Sequence, residues 1–243
     1  MLYMSKKNTG TQRHYYKNLL SIGIPIVIGQ LGTIILGFAD TIMIGHHSTE
    51  ELAAAGLVNN IYTLVFVMYM GFTYGLTPII GRLYGEERID SIGQKVRNSL
   101  FANMLTGTLL SIALVVLYLN LSHIGQPEEL LDLIRPYFIV NLVSVLFMGI
   151  FYTMKQFLDG VAETRVAMWV MIAGNVVNIF GNWLLIYGVA GFPELGLLGA
   201  GISTLLSRVL MAAAMVGIVI GRKKFAQYRY DILHSSITKA DFR

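Results

Sequence analysis

Six long apolar runs separated by short polar breaks organise this sequence. They lie near residues 18–45, 52–80, 97–121, 132–157, 165–188 and 198–221. Each reaches the roughly 20 residues that a helix needs to cross a hydrocarbon core. The breaks are "HHSTEE", "GRLYGEERIDSIGQK", "LSHIGQPEE", "LDGVAET" and "GFPELG". The pattern predicts an all-α polytopic membrane protein with six transmembrane helices. Residues 1–17 precede the helical unit at 18–221, and 222–243 follow it as a basic linker or surface segment.

Charge then sets the orientation. Lys6, Lys7, Arg13 and Lys17 precede the first span, and Arg82, Arg88, Lys95 and Arg97 surround the second break. Lys155 and Arg165 flank the fourth break, and Arg222, Lys223, Lys224, Arg229, Lys239 and Arg243 follow the sixth span. Sixteen of the 18 basic residues thus fall on one side; the exceptions are Arg135, at the start of the fourth span, and Arg208, within the sixth. The positive-inside rule makes that side cytoplasmic and places both ends of the chain there, in a cell (cytoplasmic or inner) membrane. The first span is too long for the apolar core of a signal peptide and reads as a retained helix. A formal charge of +4 is therefore a matter of topology, with no nucleic-acid partner implied. The chain is 55% hydrophobic and only 13% charged, against about 25% charged in ordinary soluble domains. It has no cysteine, which excludes disulfides, thiolate metal sites and cysteine nucleophiles.

Of 14 acidic residues, only Asp40 lies well inside a span. A carboxylate at membrane depth costs roughly 2.5 to 3.5 kcal/mol even on insertion scales, so an idle one is unexpected. Either it serves a site, or it reaches back to the interface from near the helix end, for which its stem is short. Counted from the outer ends of their spans, Asp40, Asn182 and Thr204 lie at one level, about 8 to 9 Å deep. Asn178 and Asn175 continue the Asn182 face inward. A carboxylate among amide and hydroxyl groups suits Na⁺, and desolvation suits a proton; either couples a site to an ion gradient. The plainer alternative is that these amides and the hydroxyl simply hydrogen-bond between helices. No other cofactor or metal is expected.

Pro25 lies inside the first span, followed on one small-residue face by Gly29, Thr33 and Gly37. It predicts a kink, either able to bend further or static. Tyr137, Asn141 and Ser144 share a face of the fourth span and are candidates to line a cavity, as is Arg208, near the midplane. An enzyme would need paired acids, a serine with a base, or histidine ligands within the spans; all five histidines lie in breaks or tails, so no catalytic residue is assigned.

The segments "IPIVIGQL", "GFADTIMIG", "ELAAAGL", "GLTPIIGRLYG" and "NIFGNWLLIYGVAGFPELGLLGAGIST" resemble the amino-terminal half of the multidrug and toxic compound extrusion (MATE) family, in its NorM-like branch. The resemblance implies one six-helix lobe of a twelve-helix transporter that exports organic, often cationic, drugs or metabolites by alternating access, in exchange for H⁺ or Na⁺. It also assigns roles: Pro25 to the bending proline, Asp40 to ion coupling, and Asn178, Asn182 and Thr204 to the polar network around it. Tyr137 matches a cavity tyrosine. "GHHSTEE" departs from the glycine-rich turn usual after the first helix, and His46 and His47 are expected to be solvated. A second six-helix lobe is the partner such a half requires, beside the bilayer and a small organic substrate. The alternatives are a non-transporting half-transporter or interaction subunit, and a flippase for a lipid-linked precursor.

Overall fold

A computed structural model describes residues 8–123, 125 and 127–235, with side chains from residue 16 onward. Lys6, Lys7, Lys239 and Arg243, counted above for orientation, lie outside the described residues, as does the side chain of Arg13. The described residues form eight α-helices: α1 (Asn8–His47), α2 (Thr49–Tyr74), α3 (Leu76–Gly85), α4 (Ile92–Leu119), α5 (Glu128–Gly160), α6 (Thr164–Ile186), α7 (Gly196–Gly221) and α8 (Ala226–His234). Six helical stretches are long and apolar enough to cross a membrane, with α2 and α3 together forming one of them. The protein is a multi-pass membrane protein.

Helix α1 begins at Asn8, ten residues before the expected span, and α4 begins at Ile92, five before; two further boundaries differ for physical reasons. The second span runs on to Gly85, because Leu76, Ile80 and Leu83 recur at helical spacing and keep a buried stripe into the polar break. Gly75, between α2 and α3, keeps near-helical dihedrals (φ −58°, ψ −22°), so the interruption is local. The segment after residue 221 opens with a docked helix, α8. Phe225, Tyr228 and Ile232 are buried, and the Tyr228 and Phe225 rings both pack edge-on against Phe157 of α5. Two buried apolar residues in a nine-residue helix, with Phe225 just before it, were too weak a signal to outweigh the basic composition of 222–243.

Up-and-down connections collect Lys17, Arg82, Arg88, Lys95, Arg97, Lys155, Arg165, Arg222, Lys223, Lys224 and Arg229 at one end of the bundle, here the basic end. α5 is the central helix, packed against α2, α3, α4 and α7, while α1 lies at the periphery and packs chiefly on α6. Consistently, α1 leaves Leu19, Ile24, Val27, Leu31, Ile35, Phe38 and Ile42 exposed in the isolated chain, and buries Pro25 and Gly29. The helix runs unbroken through Pro25. Small residues permit its contact with α6: a Cβ on Gly29 would meet the Met171 sulfur at 3.0 Å, and one on Gly32 would meet the Asn175 amide nitrogen at 2.9 Å.

The apolar core is in two parts. One, at the basic end, includes Ile80, Ile92, Val96, Phe157, Met215 and Phe225. The other, at the far end, includes Ile44, Val58, Leu114, Ile134, Phe138 and Ile186. Between them along α5, α6 and α7 runs a layer of buried polar side chains: Asn141, Ser144, Asn178, Asn182, Ser203 and Ser207.

Two ionic features were not foreseen. Lys155 and Asp159, one turn apart on α5, form a buried ion pair of 2.6 Å. At the far end His47 is not solvated as expected. Its Nδ1 is 2.8 Å from Glu51 of α2, and its Nε2 is 2.9 Å from Glu194 in the connection between α6 and α7. The short turn at Ser48, whose hydroxyl accepts from the Glu50 and Glu51 amides, aims Glu51 back at the ring. Gly196, at φ +52°, leaves room for the Glu51 carboxylate where a side chain would collide.

A neutral imidazole carries one N–H, so only the imidazolium donates to both carboxylates. The bridged form therefore binds a proton, and its contribution to stability falls as pH rises and the ring deprotonates. His47→Gln is expected to lower the thermal midpoint by roughly 2 to 4 °C near pH 6, where an ion pair of about 1 kcal/mol is intact. The gap should close by about pH 9. Thermal unfolding of the purified protein at the two pH values checks this; a gap of equal size at both would mean that the imidazolium is not what holds the rim.

Candidate functional site

Asp40 occupies the face of α1 turned toward α6, seven residues before the helix ends at His47. Asn182, fully buried on α6, donates from Nδ2 to Asp40 Oδ1 at 2.5 Å. One turn away, Asn178 is fully buried as well. In the amide orientation that satisfies both of its ends, Asn178 donates to the same Asp40 oxygen at 2.9 Å, and its own oxygen accepts from the Thr204 hydroxyl at 3.1 Å and the Thr204 amide at 3.2 Å. Ser203 fixes the α6 backbone beside them by donating to the Asn178 carbonyl at 2.7 Å. The level shared by Asp40, Asn182 and Thr204 in the sequence is thus a contiguous chain of hydrogen bonds across α1, α6 and α7.

The chain ends in an open valence. Asn182 Oδ1 is buried and has no hydrogen-bond partner. A buried amide oxygen left unpaired costs about 1 to 3 kcal/mol, so a native site that contains one asks for a donor or a cation. Asp40 itself accepts two N–H bonds on one oxygen, an arrangement suited to its ionised form.

Beside this network lies an open cleft of about 400 Å³ between α1, α2, α5, α6 and α7. Its polar lining includes Thr33, Asp40, Thr41, Asn59, Thr63, Asn141, Asn175 and Arg208. Apolar and aromatic groups form the rest, among them Tyr62, Phe66, Tyr69, Met148, Phe151, Tyr152, Met171 and Met211. Toward the basic end, Gln30 of α1 reaches across to the Tyr74 hydroxyl of α2 at 3.2 Å. Thr33 and Thr41 spend their hydroxyls on the α1 carbonyls of Gly29 and Gly37.

The other candidates divide. Asn141, Asn175 and Arg208 line the cleft. Tyr137 does not: it is buried one layer behind, where its hydroxyl donates to Asn59 Oδ1 at 3.1 Å and so braces a residue that does line it. Ser144 is also buried, and it accepts a hydrogen bond from Arg208. Pro25 is buried in α1 against its neighbours, about four turns from Asp40 and outside the cleft lining. The sequence reading missed the aromatic and methionine walls. In a chain with 12 Met, 13 Tyr and 12 Phe, nothing local marks which of them face a cavity.

A family model described as MatE matches residues 25–184, well over half of the chain. The chain belongs to the MatE family. Among MatE relatives, the probable multidrug resistance protein NorM of Photorhabdus laumondii subsp. laumondii is 31% identical over 215 residues, covering 88% of this chain and 48% of that protein. The multidrug resistance protein MdtK of Klebsiella pneumoniae is 30% identical over 205 residues, covering 82% and 44%. The fold matches a crystal structure of MATE in the bent conformation with a TM-score of 0.82 at 22% identity, over 93% of this chain and 50% of the other. A crystal structure of MATE in the straight conformation matches with a TM-score of 0.78 at 23% identity, over 93% and 48%. The chain spans about half the length of the MatE relatives it matches.

Asn182→Leu removes the shorter of the two amide bonds to Asp40, and is expected to lower stability by about 1.5 to 3 kcal/mol, the range for a hydrogen bond to a charged group. In a cycle with Asp40→Ala, followed by thermal unfolding, the double variant should lose clearly less than the sum of the two single losses. Strict additivity would contradict the bond.

Proposed function

We propose that this chain is the amino-terminal lobe of a cation-coupled antiporter that exports organic compounds by alternating access. The basic end then faces the cytoplasm, following the positive-inside rule, in a cell membrane. Residues 18–221 form the transmembrane lobe, residues 1–17 precede it in the cytoplasm, and 222–243 lead toward a second lobe. That second lobe supplies the opposite wall of the cleft, because a two-body rocking mechanism needs one.

The observation that carries the coupling is the open valence at Asp40: a carboxylate holding two amide donors, next to a buried amide oxygen with no partner. Such a site accepts a positive charge with little rearrangement. A proton on Asp40 turns the carboxylate into a donor, and a Na⁺ ion takes oxygen ligands from Asp40 and Asn182. Loading reorganises hydrogen bonds between α1 and the α6–α7 pair, so ion occupancy biases how α1 sits against them. α1 is suited to such a shift, since it is peripheral and packs mainly on one helix. Its buried proline removes one backbone bond from the ladder, which lowers the cost of bending there. Export of drugs is supported by the relatives' names as multidrug resistance proteins, and the cleft's aromatic and methionine walls suit bulky organic compounds.

Asp40→Asn keeps the size of the side chain and removes its charge. In proteoliposomes containing the intact transporter, it is expected to abolish efflux driven by imposed gradients while membrane insertion stays normal. Imposing Na⁺ and H⁺ gradients separately identifies the ion. Wild-type efflux by Asp40→Asn under both gradients would remove Asp40 from the mechanism.

A further inference from the structure

Arg208 is the one charged side chain besides Asp40 in the cleft lining. The ion pairs of His47, Arg82, Arg88, Lys155 and Lys224 do not reach Arg208. Its guanidinium donates to the Ser144 hydroxyl through Nη1, which uses one of five donors. The surrounding groups with which it interacts electrostatically are Tyr152, Tyr137, Asp40 and Tyr62, three phenols and a carboxylate already held by amides. A guanidinium at this depth is costly, and the usual compensation is a directly paired carboxylate. Among the described residues no carboxylate pairs with it directly, and the charge opens onto a space large enough for an organic ligand.

We propose that Arg208 is an anion-recognising residue of the substrate cleft. The ligand it selects is an aromatic compound carrying an oxyanion, a carboxylate in the first instance. The planar fork of the guanidinium pairs a carboxylate through two parallel bonds, while Phe66, Phe151, Tyr62 and Tyr152 give the lining the aromatic character that suits a ring system. Ser144 sets the orientation of the fork from behind, and Asn141, a turn earlier on α5, lines the cleft beside it. With Asp40 and Arg208 on one cleft and not paired with each other, opposite charges on the ligand have separate places. A cationic group competes with the coupling ion at Asp40, and an anionic group is held at Arg208, more tightly once Asp40 is neutralised. The cleft is thereby suited to zwitterions, a narrower class than organic cations. This inference takes the cleft to be the substrate site of the transport reading, but its test does not depend on transport.

The test uses two probes: a xanthene dye with a free benzoate group, and the methyl ester of the same dye. They share one aromatic frame and differ in the oxyanion. Fluorescence polarisation is measured on the intact protein in lipid nanodiscs, with empty nanodiscs to subtract partition into lipid. The wild type is expected to bind the free acid at least about tenfold more tightly than the ester, the factor a charge-assisted hydrogen bond provides. Arg208→Gln should weaken the acid to the level of the ester and leave the ester unchanged; Arg208→Lys, which keeps the charge without the fork, should fall between. Equal affinity of the wild type for the two dyes, no binding of either, or an equal loss of both in Arg208→Gln would overturn the proposal. The wild-type comparison stands even if a variant fails to fold. Loss of coupled efflux in Asp40→Asn bears on the transport reading alone, whereas loss of the dye preference with efflux intact bears on Arg208 alone.

Discussion

The placing of one half-buried carboxylate where three helices meet constrains the rest of this protein. Asp40 is solvated by the protein itself: Asn182 and Asn178 supply the N–H groups that water would otherwise provide. That substitution works only if α1 and α6 approach closely, which the missing side chains of Gly29 and Gly32 allow. It also needs α7 to lie against α6. Gly199 meets that need, since a Cβ there would come within 2.5 Å of the Leu185 carbonyl oxygen. The division of the apolar core into two parts follows from the same requirement, because the polar layer displaces hydrocarbon packing at mid-depth.

The stability of such a layer comes from complete pairing, and its pairing is nearly complete. Asn141 donates to the Tyr137 carbonyl, Ser203 to that of Asn178 and Ser207 to that of Thr204. Against this background the unpaired Asn182 oxygen and the lone Arg208 guanidinium stand out as places where the protein leaves electrostatic work to something that binds. They differ in sign: one calls for a positive charge or a donor, the other for an acceptor.

Much of this was legible in the residues. The six spans follow from apolar run length, and the shared level of Asp40, Asn182 and Thr204 follows from counting rise per residue, because membrane helices run nearly straight between two fixed planes. What escaped depended on direction around a helix axis or on partners distant in sequence. Tyr137 and Asn141 are one turn apart on α5, and only the cross-helix bond to Asn59 shows why Tyr137 stands behind the cleft wall. His47 meets Glu194 across 147 positions, so "GHHSTEE" alone offered no reason to take it out of water. α8 was hidden by the basic composition of the segment around it, although Phe225, Tyr228 and Ile232 fall at helical spacing.

The Lys155–Asp159 pair shows a different treatment of buried charge. Both partners belong to α5, one turn apart, so their attraction makes no demand on any neighbour. Helices around α5 can slide or tilt without ever separating the two charges, and the pair is carried along as neutral cargo. Asp40 has the opposite wiring: its donors sit on another helix, so displacement of α1 strands a charge. The bundle thus contains one ionic element indifferent to motion, on its central pillar, and one that registers motion, on its least buried span.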